Sequence, residues 1–258
     1  MMKNERFENT EQKPDVIAGR NPVSEAVRSN RPIDKILVAK GEKSGAIVGI
    51  LAKARDKKIP VKEVDRTKLD YVSGGATHQG IVAFAAAKDY STVDDILEYA
   101  ESKGEAPFVV VLDEVEDPHN LGSIIRSAEC AGAHGVVITK RRSAPVTATV
   151  VKPSAGAAEH MRIARVVNLV SAIETLKKEG LWIAGADMAG NSMYEADMKG
   201  GFALVIGSEG SGLSKLVKEN CDMTASIPMV GDIDSLNASV ATGVLAYEIV
   251  RQRLKSGK

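Results

Sequence analysis

Three polar segments in the second half of the chain carry side chains that could take part in chemistry. In the first, LDEVEDPHNLGSIIRSAECAG (112–132), Asn120, Ser123 and Arg126 are spaced three residues apart. On a helix this spacing places them along one ridge with a cation at its far end. We predict that helix over residues 121–131, with Asn120 as its N-cap. A capped helix with a surface arginine would show the same pattern, and the unusual length of the loop favours function.

The second segment is glycine-rich. In VIGSEGSGLSK (205–215), Gly207, Gly210 and Gly212 follow an apolar run and precede a short predicted helix. Such a turn lets backbone N–H groups surround an anion or a nucleotide. The spacing G-x-x-G-x-G is neither the phosphate loop, whose lysine is missing, nor the dinucleotide fingerprint. A generic glycine turn explains the spacing equally well, and the carboxylate of Glu209 disfavours a phosphate ligand.

The third segment, SIPMVGDIDSLNASVATGVLAYE (226–248), leads into the last predicted helix, 235–254. Ser235 is predicted as its N-cap, and Asn237 and Ser239 fall in the first turn, where backbone N–H groups lack partners inside the helix. Polar residues at a helix start often act only as caps. An apolar stripe is predicted along one face of this helix, formed by Leu236, Val240, Val244, Tyr247 and Leu254.

The predicted strands and helices that must position these segments indicate an α/β fold. Near-continuous apolar strands alternate with helices, a pattern typical of a parallel sheet covered on both faces. The strands are predicted at residues 108–113, 135–139, 162–166, 181–186, 202–207 and 224–228. Ligands of such sheets bind outside the carboxyl ends of the strands, so we expect the three segments to converge there. Shorter strands and helices over residues 15–89 predict a second, small α/β unit.

Taken together, the three segments resemble a known family. DEVEDPHNLGSIIRSA, LVIGSEGSGL and IPMVGDIDSLNASVA are similar to the three motifs of the SpoU (TrmH) branch of the SPOUT RNA 2′-O-ribose methyltransferases, in order and in context. That resemblance covers residues 107–258. AGRNPVSEAV (18–27) and THQGIVA (77–83) resemble the small ribosomal-protein-like substrate-binding domain of the subfamily that methylates a guanosine in large-subunit (23S) rRNA. Related tRNA enzymes also carry this domain, so a tRNA substrate stays open.

The resemblance implies a parallel-sheet SPOUT domain with a deep trefoil knot, which binds S-adenosylmethionine, and a homodimer with the site near the subunit interface. By similarity, the catalytic residues would be Arg126, Asn120, Glu209, Ser235 and Asn237. The cofactor would be held by backbone near Gly207, Ile227 and Leu236, with Ser208, Gly212, Met229 and Ser239 beside them.

The implied reaction moves a methyl group from a sulfonium to a ribose 2′-hydroxyl. The protein must align the reacting atoms and help to remove the hydroxyl proton. A guanidinium stays protonated in proteins, so Arg126 is expected to position the phosphate and stabilise the developing alkoxide. The proton would pass to water, to phosphate or to Glu209. His119, beside Glu116 and Asp117, is a further titratable group in this segment.

Charge is distributed unevenly along the 258 residues. The total of 34 Lys and Arg against 34 Asp and Glu excludes a uniformly basic coat, and 4% aromatic residues disfavour a base-stacking platform. Residues 1–90, however, carry 17 basic against 12 acidic side chains, and residues 91–106 carry one against five. The basic excess therefore lies on the proposed RNA-binding domain. The residues expected to contact RNA are Arg20, Arg28, Arg31, Lys140, Arg141 and Arg142.

We predict four segments: a disordered tail over 1–14, the RNA-binding domain over 15–89, an acidic connector or first helix over 90–106, and the methyltransferase domain over 107–258. No apolar run is long enough to span a membrane, and the N-terminus lacks a secretory signal, which predicts a cytoplasmic protein. Cys130 and Cys221 are expected to be buried, reduced thiols, and no ligand spacing indicates a metal.

Two functions from other classes compete with this interpretation. One is a ribosome-associated RNA-binding protein without catalysis, which would not need Asn120, Arg126, Glu209 and Asn237 together. The other is a nucleotide-dependent enzyme that uses residues 207–212, which the absent phosphate-loop lysine disfavours.

Overall fold

A computed structural model describes residues 15–29, 33–42, 44–85 and 90–255 of the chain. The tail predicted over residues 1–14 and the predicted RNA contact Arg31 lie outside these ranges. The chain divides into two compact units, one over Met1–Asp89 and one over Tyr90–Lys258. Each is described by itself below.

In its described residues, the first unit is a four-stranded mixed sheet with three helices. The strand order is β1-β4-β2-β3, in which β2 and β3 are parallel and the other pairs are antiparallel. The strands are β1 (Asp15–Ala18), β2 (Ile33–Ala39), β3 (Val61–Val64) and β4 (Ile81–Ala85). The helices are α1 (Arg20–Arg28), α2 (Gly45–Asp56) and α3 (Arg66–Val72). The small α/β unit predicted for this region therefore has a sheet of its own.

The second unit is built on a six-stranded sheet in which every pair is parallel, in the order β10-β8-β9-β5-β6-β7. Its strands are β5 (Phe108–Leu112), β6 (Gly135–Thr139), β7 (Arg162–Val166), β8 (Trp182–Ser192), β9 (Phe202–Ile206) and β10 (Met223–Ser226). Its helices are α4 (Val93–Ser102), α5 (Pro118–Cys130), α6 (Ala148–Val151), α7 (Ala157–His160), α8 (Leu169–Lys178), α9 (Lys215–Glu219) and α10 (Ala238–Lys255).

The burial of its strands fits a parallel sheet at the centre of the second unit. All residues of β5 and β9 are buried, which fits strands that are covered by helices on both faces. Leu121, Ile124 and Ile125 of α5 are fully buried, so the apolar side of that helix packs inward. The predicted parallel α/β architecture is confirmed. The trefoil knot implied by the resemblance stays a prediction.

Both site helices begin at other residues than predicted. Helix α5 starts at Pro118, and Asp117 is its N-cap, because the Asp117 carboxylate accepts from the N–H groups of His119 and Asn120. The prediction of Asn120 as N-cap was wrong; Asn120 lies in the first turn. Proline suits the first helical position, where no N–H donor is needed. Helix α10 starts at Ala238, so Ser235 is not its N-cap either.

The segment 90–106 belongs to the second unit instead of forming a free connector. Thr92 and Asp95 form a capping box at the start of α4, and Ile96 and Ala100 are buried in the unit. The five acidic residues of this segment are all exposed, so its charge lies on the solvent side of a packed helix.

Two further features, in β8 and at Cys130, differ from expectation. Strand β8 continues to Ser192, because its second half pairs with β10 beyond a register shift between Thr224 and Ala225. Cys130 is exposed, not buried. The apolar stripe predicted on α10 is largely exposed, whereas Glu248 and Gln252 of the same helix are buried and hydrogen-bonded to each other. Within the described residues, no helix has the length and apolar character needed to cross a membrane.

Candidate active site

Asn237 connects the three polar segments at the carboxyl edge of the parallel sheet. Its Nδ2 donates to Oδ1 of Asn120 at 2.9 Å and also to Oε1 of Glu209. Its Oδ1 accepts from the N–H groups of Ser239 at 2.9 Å and Val240 at 3.3 Å, which caps α10. One amide thus fixes the start of a helix and holds side chains from two other loops.

The glycine loop folds tightly back on itself. The N–H of Ser208 donates to the carbonyl of Gly212, and the N–H of Gly212 donates to the carbonyl of Ser208, both at 3.1 Å. A Cβ on Gly207 would lie 2.2 Å from the backbone carbon of Gly212, so no other residue fits there. Gly210 and Gly212 have positive φ angles of 94° and 65°, which glycine adopts without strain.

Asp113 anchors this loop to the central strand. The residue follows β5 and is buried, and its Oδ2 accepts from the N–H of Ser214 at 2.7 Å. A buried carboxylate needs such donors to offset its desolvation. The first and second segments are therefore joined twice, directly by the Asp113–Ser214 hydrogen bond and through Asn237, which bonds both Asn120 and Glu209.

Two clefts meet at this junction. The larger has a volume of about 590 Å³ and is walled by the glycine loop, the end of β10 and the start of α10. The smaller has a volume of about 320 Å³ and is lined by the first segment and the glycine loop. Four residues line both clefts: Ser208, Glu209, Ser211 and Ala238. A group bound in one cleft would therefore meet a group bound in the other at Glu209.

The larger cleft collects most of the residues expected to bind the cofactor. Six of those seven residues line it, namely Gly207, Ser208, Gly212, Ile227, Met229 and Leu236. Ser239 does not line it and instead bonds Asn237. Of the expected catalytic residues, Glu209, Ser235 and Asn237 line the larger cleft, and Asn120 lines the smaller one.

Arg126 stands apart from the other expected catalytic residues. It is exposed on α5 and lines neither cleft. Among the residues that the structure describes, none forms a hydrogen bond or ion pair with it. Its guanidinium is therefore free to contact an incoming ligand.

The smaller cleft is acidic. Glu114, Glu116, Asp117 and Glu209 line it, and no Lys or Arg is among its described lining residues. Arg142, expected to contact RNA, instead pairs with Glu114 at 2.7 Å on the rim. Lys140 and Arg141 are exposed. The basic loop 140–142 therefore has two free cations and one that is already neutralised.

Arg20 and Arg28 lie in the first unit, where they line a groove of about 270 Å³ between α1 and α2 together with Lys53. The Nε of Arg20 also donates to the carbonyl of Gln79, and Arg28 lies 3.7 Å from Glu25. The groove combines three cations with polar side chains of α1, Asn21 and Ser24.

Sequence reasoning missed an ion pair in the wall of the larger cleft. Nζ of Lys218, on α9, lies 2.6 Å from Oδ2 of Asp187, on β8. The hydrogen bond from Lys218 lowers the pKa of Asp187 below its usual value. The two residues are 31 positions apart, and no motif spacing connects them. Only the extension of β8 beyond residue 186 could have shown that Asp187 lies in the sheet.

The remaining titratable side chains show no metal centre. Across the described parts of the chain, no cluster of three or more His, Cys, Asp or Glu side chains could hold a metal ion. Burial raises the pKa of Cys221 to about 11, so this half-buried thiol stays protonated.

Comparison with known proteins identifies the family. The family model described as "SpoU rRNA Methylase family" matches residues 107–247, and the one described as "RNA 2'-O ribose methyltransferase substrate binding" matches residues 16–91. The chain therefore belongs to the SpoU (TrmH) family of RNA methyltransferases. The family suggested by the three motifs is confirmed.

Individual relatives are similar over nearly the whole chain. YacO of Bacillus subtilis (strain 168), assigned to the TrmH family of tRNA/rRNA methyltransferases, is 45% identical over 249 residues, which is 96% of this chain and 99% of YacO. The SpoU methyltransferase AviRb from Streptomyces viridochromogenes, solved with the cofactor AdoMet, aligns with a TM-score of 0.80 and 28% identity over 98% of this chain and 95% of AviRb. An AdoMet-bound rRNA methyltransferase from Sinorhizobium meliloti aligns with a TM-score of 0.78 and 25% identity, over 96% and 90% of the chains.

Proposed function

We propose that this protein transfers a methyl group from S-adenosylmethionine to the ribose 2′-hydroxyl of a guanosine in 23S rRNA. The observation that carries the proposal is the junction of the two clefts. Glu209 lines both of them and is held by Asn237, which also holds Asn120. A cofactor in one cleft and a ribose in the other would meet beside a carboxylate and an amide.

The larger cleft fits S-adenosylmethionine. Its volume of about 590 Å³ lies within the range of about 300–1,000 Å³ that small-ligand sites occupy. The backbone around Gly207 and Ile227 offers polar groups to a base, and Leu236 and Met229 offer apolar contacts. When bound, the cofactor would supply the electrophilic methyl group. AviRb binds AdoMet, and its fold covers this entire region.

The residues of the junction have distinct roles in this proposal. Asn120 and Asn237 orient the ribose, because their amides are fixed by each other at 2.9 Å. Glu209 accepts the hydroxyl proton, since it is the carboxylate shared by both clefts. Ser235, on the wall of the larger cleft, positions the ligand there. Arg126 binds the phosphate beside the ribose, because no Lys or Arg is among the described lining residues of the acidic smaller cleft and a guanidinium suits a phosphate.

RNA binding is proposed for the first unit. The groove between α1 and α2 presents Arg20, Arg28 and Lys53, and this unit carries the basic excess of the chain. Arginine and lysine at such a groove neutralise phosphates and release counterions. Lys140 and Arg141 would add contacts from the second unit.

The active form is proposed to be a homodimer in the cytoplasm. The exposed stripe of α10 supports the dimer, because Val240, Tyr247 and Leu254 are between 49% and 71% exposed on one helix. Exposed apolar side chains that share one face of a helix are typical of protein interfaces. Sedimentation of the purified chain tests the dimer directly.

A methylation assay tests the reaction. The chain is incubated with methyl-labelled S-adenosylmethionine and either 23S rRNA or total tRNA, and the product is digested to nucleosides. The proposal expects label in 2′-O-methylguanosine from 23S rRNA. Label on a base would contradict the chemistry. Label in tRNA alone would establish the tRNA enzyme, which the tRNA/rRNA assignment of YacO keeps as the second candidate.

Arg126→Ala tests the role of the arginine, with Lys178→Ala as the control because Lys178 is exposed on α8 away from both clefts. Arg126→Ala is expected to lower methyl transfer by about 100-fold or more and to leave cofactor binding unchanged. Near-normal turnover of Arg126→Ala would remove it from the mechanism.

A further inference from the structure

The larger cleft contains an ion pair that the proposed reaction does not use. Its described lining residues include three charged side chains, Asp187, Glu209 and Lys218. Glu209 is bonded to Asn237 at the junction with the smaller cleft. Asp187 and Lys218 do not line the smaller cleft, so their pair belongs to the larger one alone.

Both partners of this pair have bonding capacity left. Among the described residues, the ammonium group of Lys218 has one partner, Asp187 at 2.6 Å, and an ammonium group has three donors. Asp187 accepts from Lys218 through Oδ2 and from the N–H of Ala189 through Oδ1 at 2.9 Å, whereas a carboxylate can accept about four hydrogen bonds. The side chain of Lys218 is 45% exposed and that of Asp187 is 19% exposed. A ligand in the cleft can therefore reach both groups.

The charges also balance those of the cofactor. Two carboxylates and one ammonium give the cleft a net charge of −1. S-adenosylmethionine carries a sulfonium, an α-ammonium and an α-carboxylate, for a net charge of +1. Lys218 is the single cation among the described residues of the cleft, so it is the group available to pair with the α-carboxylate.

We propose that the Asp187–Lys218 pair recognises the amino-acid end of S-adenosylmethionine. Lys218 binds the α-carboxylate, and Asp187 binds the α-ammonium while it orients Lys218. Charge-assisted bonds of this kind are about twice as strong as neutral ones. This inference rests on the proposed function, because it assumes S-adenosylmethionine as the ligand.

Calorimetry of the full chain with two ligands tests the pair. S-adenosylmethionine carries the amino-acid end, and 5′-methylthioadenosine lacks it. Lys218→Met is expected to weaken S-adenosylmethionine binding by about 10- to 100-fold and to leave 5′-methylthioadenosine binding unchanged. Lys215→Met is the control, since Lys215 lies on the same helix, is 88% exposed and does not line the cleft. Equal weakening of both ligands, or no weakening, would overturn the inference.

A charge exchange separates recognition from a structural role. The double variant Asp187→Lys with Lys218→Glu keeps an ion pair between β8 and α9 but reverses its direction. Recognition predicts that S-adenosylmethionine stays weakly bound by this variant although its thermal stability recovers. Restored binding would show that the pair only joins the two elements. Absence of S-adenosylmethionine binding by the unaltered chain would instead overturn the proposed function itself.

Discussion

The two ends of the same parallel sheet carry polar clusters that differ in burial. At the carboxyl edge, Asn120, Glu209 and Asn237 are bonded to one another beside two clefts. At the amino edge, Nδ1 of His134 accepts from the N–H of Phe108 at 2.9 Å, and Nε2 of His134 lies 3.3 Å from Glu105. Arg253 donates to the carbonyl groups of Ala106 and Pro107 at the same edge.

Burial separates the roles of the two clusters. His134 is 3% exposed, and its ring packs edge-on against Tyr99, whereas Glu209 and Asn237 are exposed. Strand ends at both edges leave backbone groups to be satisfied. The amino edge satisfies them with the side chains of His134 and Arg253. The carboxyl edge keeps its polar groups at an opening, so it is the edge suited to binding.

The largest expected effect is a loss of activity when the carboxyl edge is altered at Asn237. Asn237→Asp keeps the oxygen that caps α10 but loses the donor to Asn120 and Glu209 and adds a negative charge. We expect methyl transfer to fall by about 100-fold or more, with a change in stability within about 1 kcal/mol. Steady-state kinetics and thermal unfolding measure the two effects. Retained turnover would show that the junction is a structural contact only.

A pair of glycine variants sharpens the comparison. A Cβ on Gly207 would strike the backbone of Gly212, while a Cβ on Gly135 would strike the side chain of Ile96, 2.4 Å away. We expect Gly207→Ala to abolish cofactor binding, because the loop that walls the larger cleft must open. Gly135→Ala is expected to cost about 1–3 kcal/mol of stability by overpacking and to preserve binding. Loss of binding in both variants would mean that the edges are not independent.

Much of this carboxyl edge follows from sequence pattern. Apolar runs place β5, β9 and β10 in a parallel sheet, and that arrangement alone brings Asn120, Gly207 and Asn237 to one edge. The helix starts were harder to locate. Asp117 and Asn120 are both good N-cap residues, and so are Ser235 and Asn237. The choice depends on where the loop backbone turns, which local composition does not determine.

The amino edge was not anticipated at all. His134 is one of four scattered histidines, and its partners Phe108 and Glu105 are more than 25 residues earlier in the chain. The buried polar side chains of α10 were not anticipated either, for a related reason. Glu248 and Gln252 are buried because Arg251, Ala196 and Met198 supply partners, and periodicity assigns such positions to solvent.

The next prediction concerns the amino edge by itself. His134→Ala removes the acceptor for the buried N–H of Phe108, and an unsatisfied buried donor costs about 1–3 kcal/mol. We expect thermal stability to fall accordingly while methyl transfer at low temperature stays within about twofold of the original. A large loss of turnover in the folded variant would connect this edge to catalysis.

The smallest effect is a pH dependence that only the amino edge should show. Burial lowers the pKa of His134 below its ordinary value of 6.5, although Glu105 opposes the shift. The unfolded chain therefore binds a proton more readily than the folded chain, so this stability is present above pH 6.5 and is lost as pH falls below it. One proton changes stability by at most about 1.4 kcal/mol per pH unit. Thermal unfolding between about pH 7.5 and about pH 5.5 should show a decline that His134→Ala lacks. The carboxyl edge should not contribute, because it contains no buried histidine among the described residues. An identical decline in the variant would assign the effect to groups other than His134.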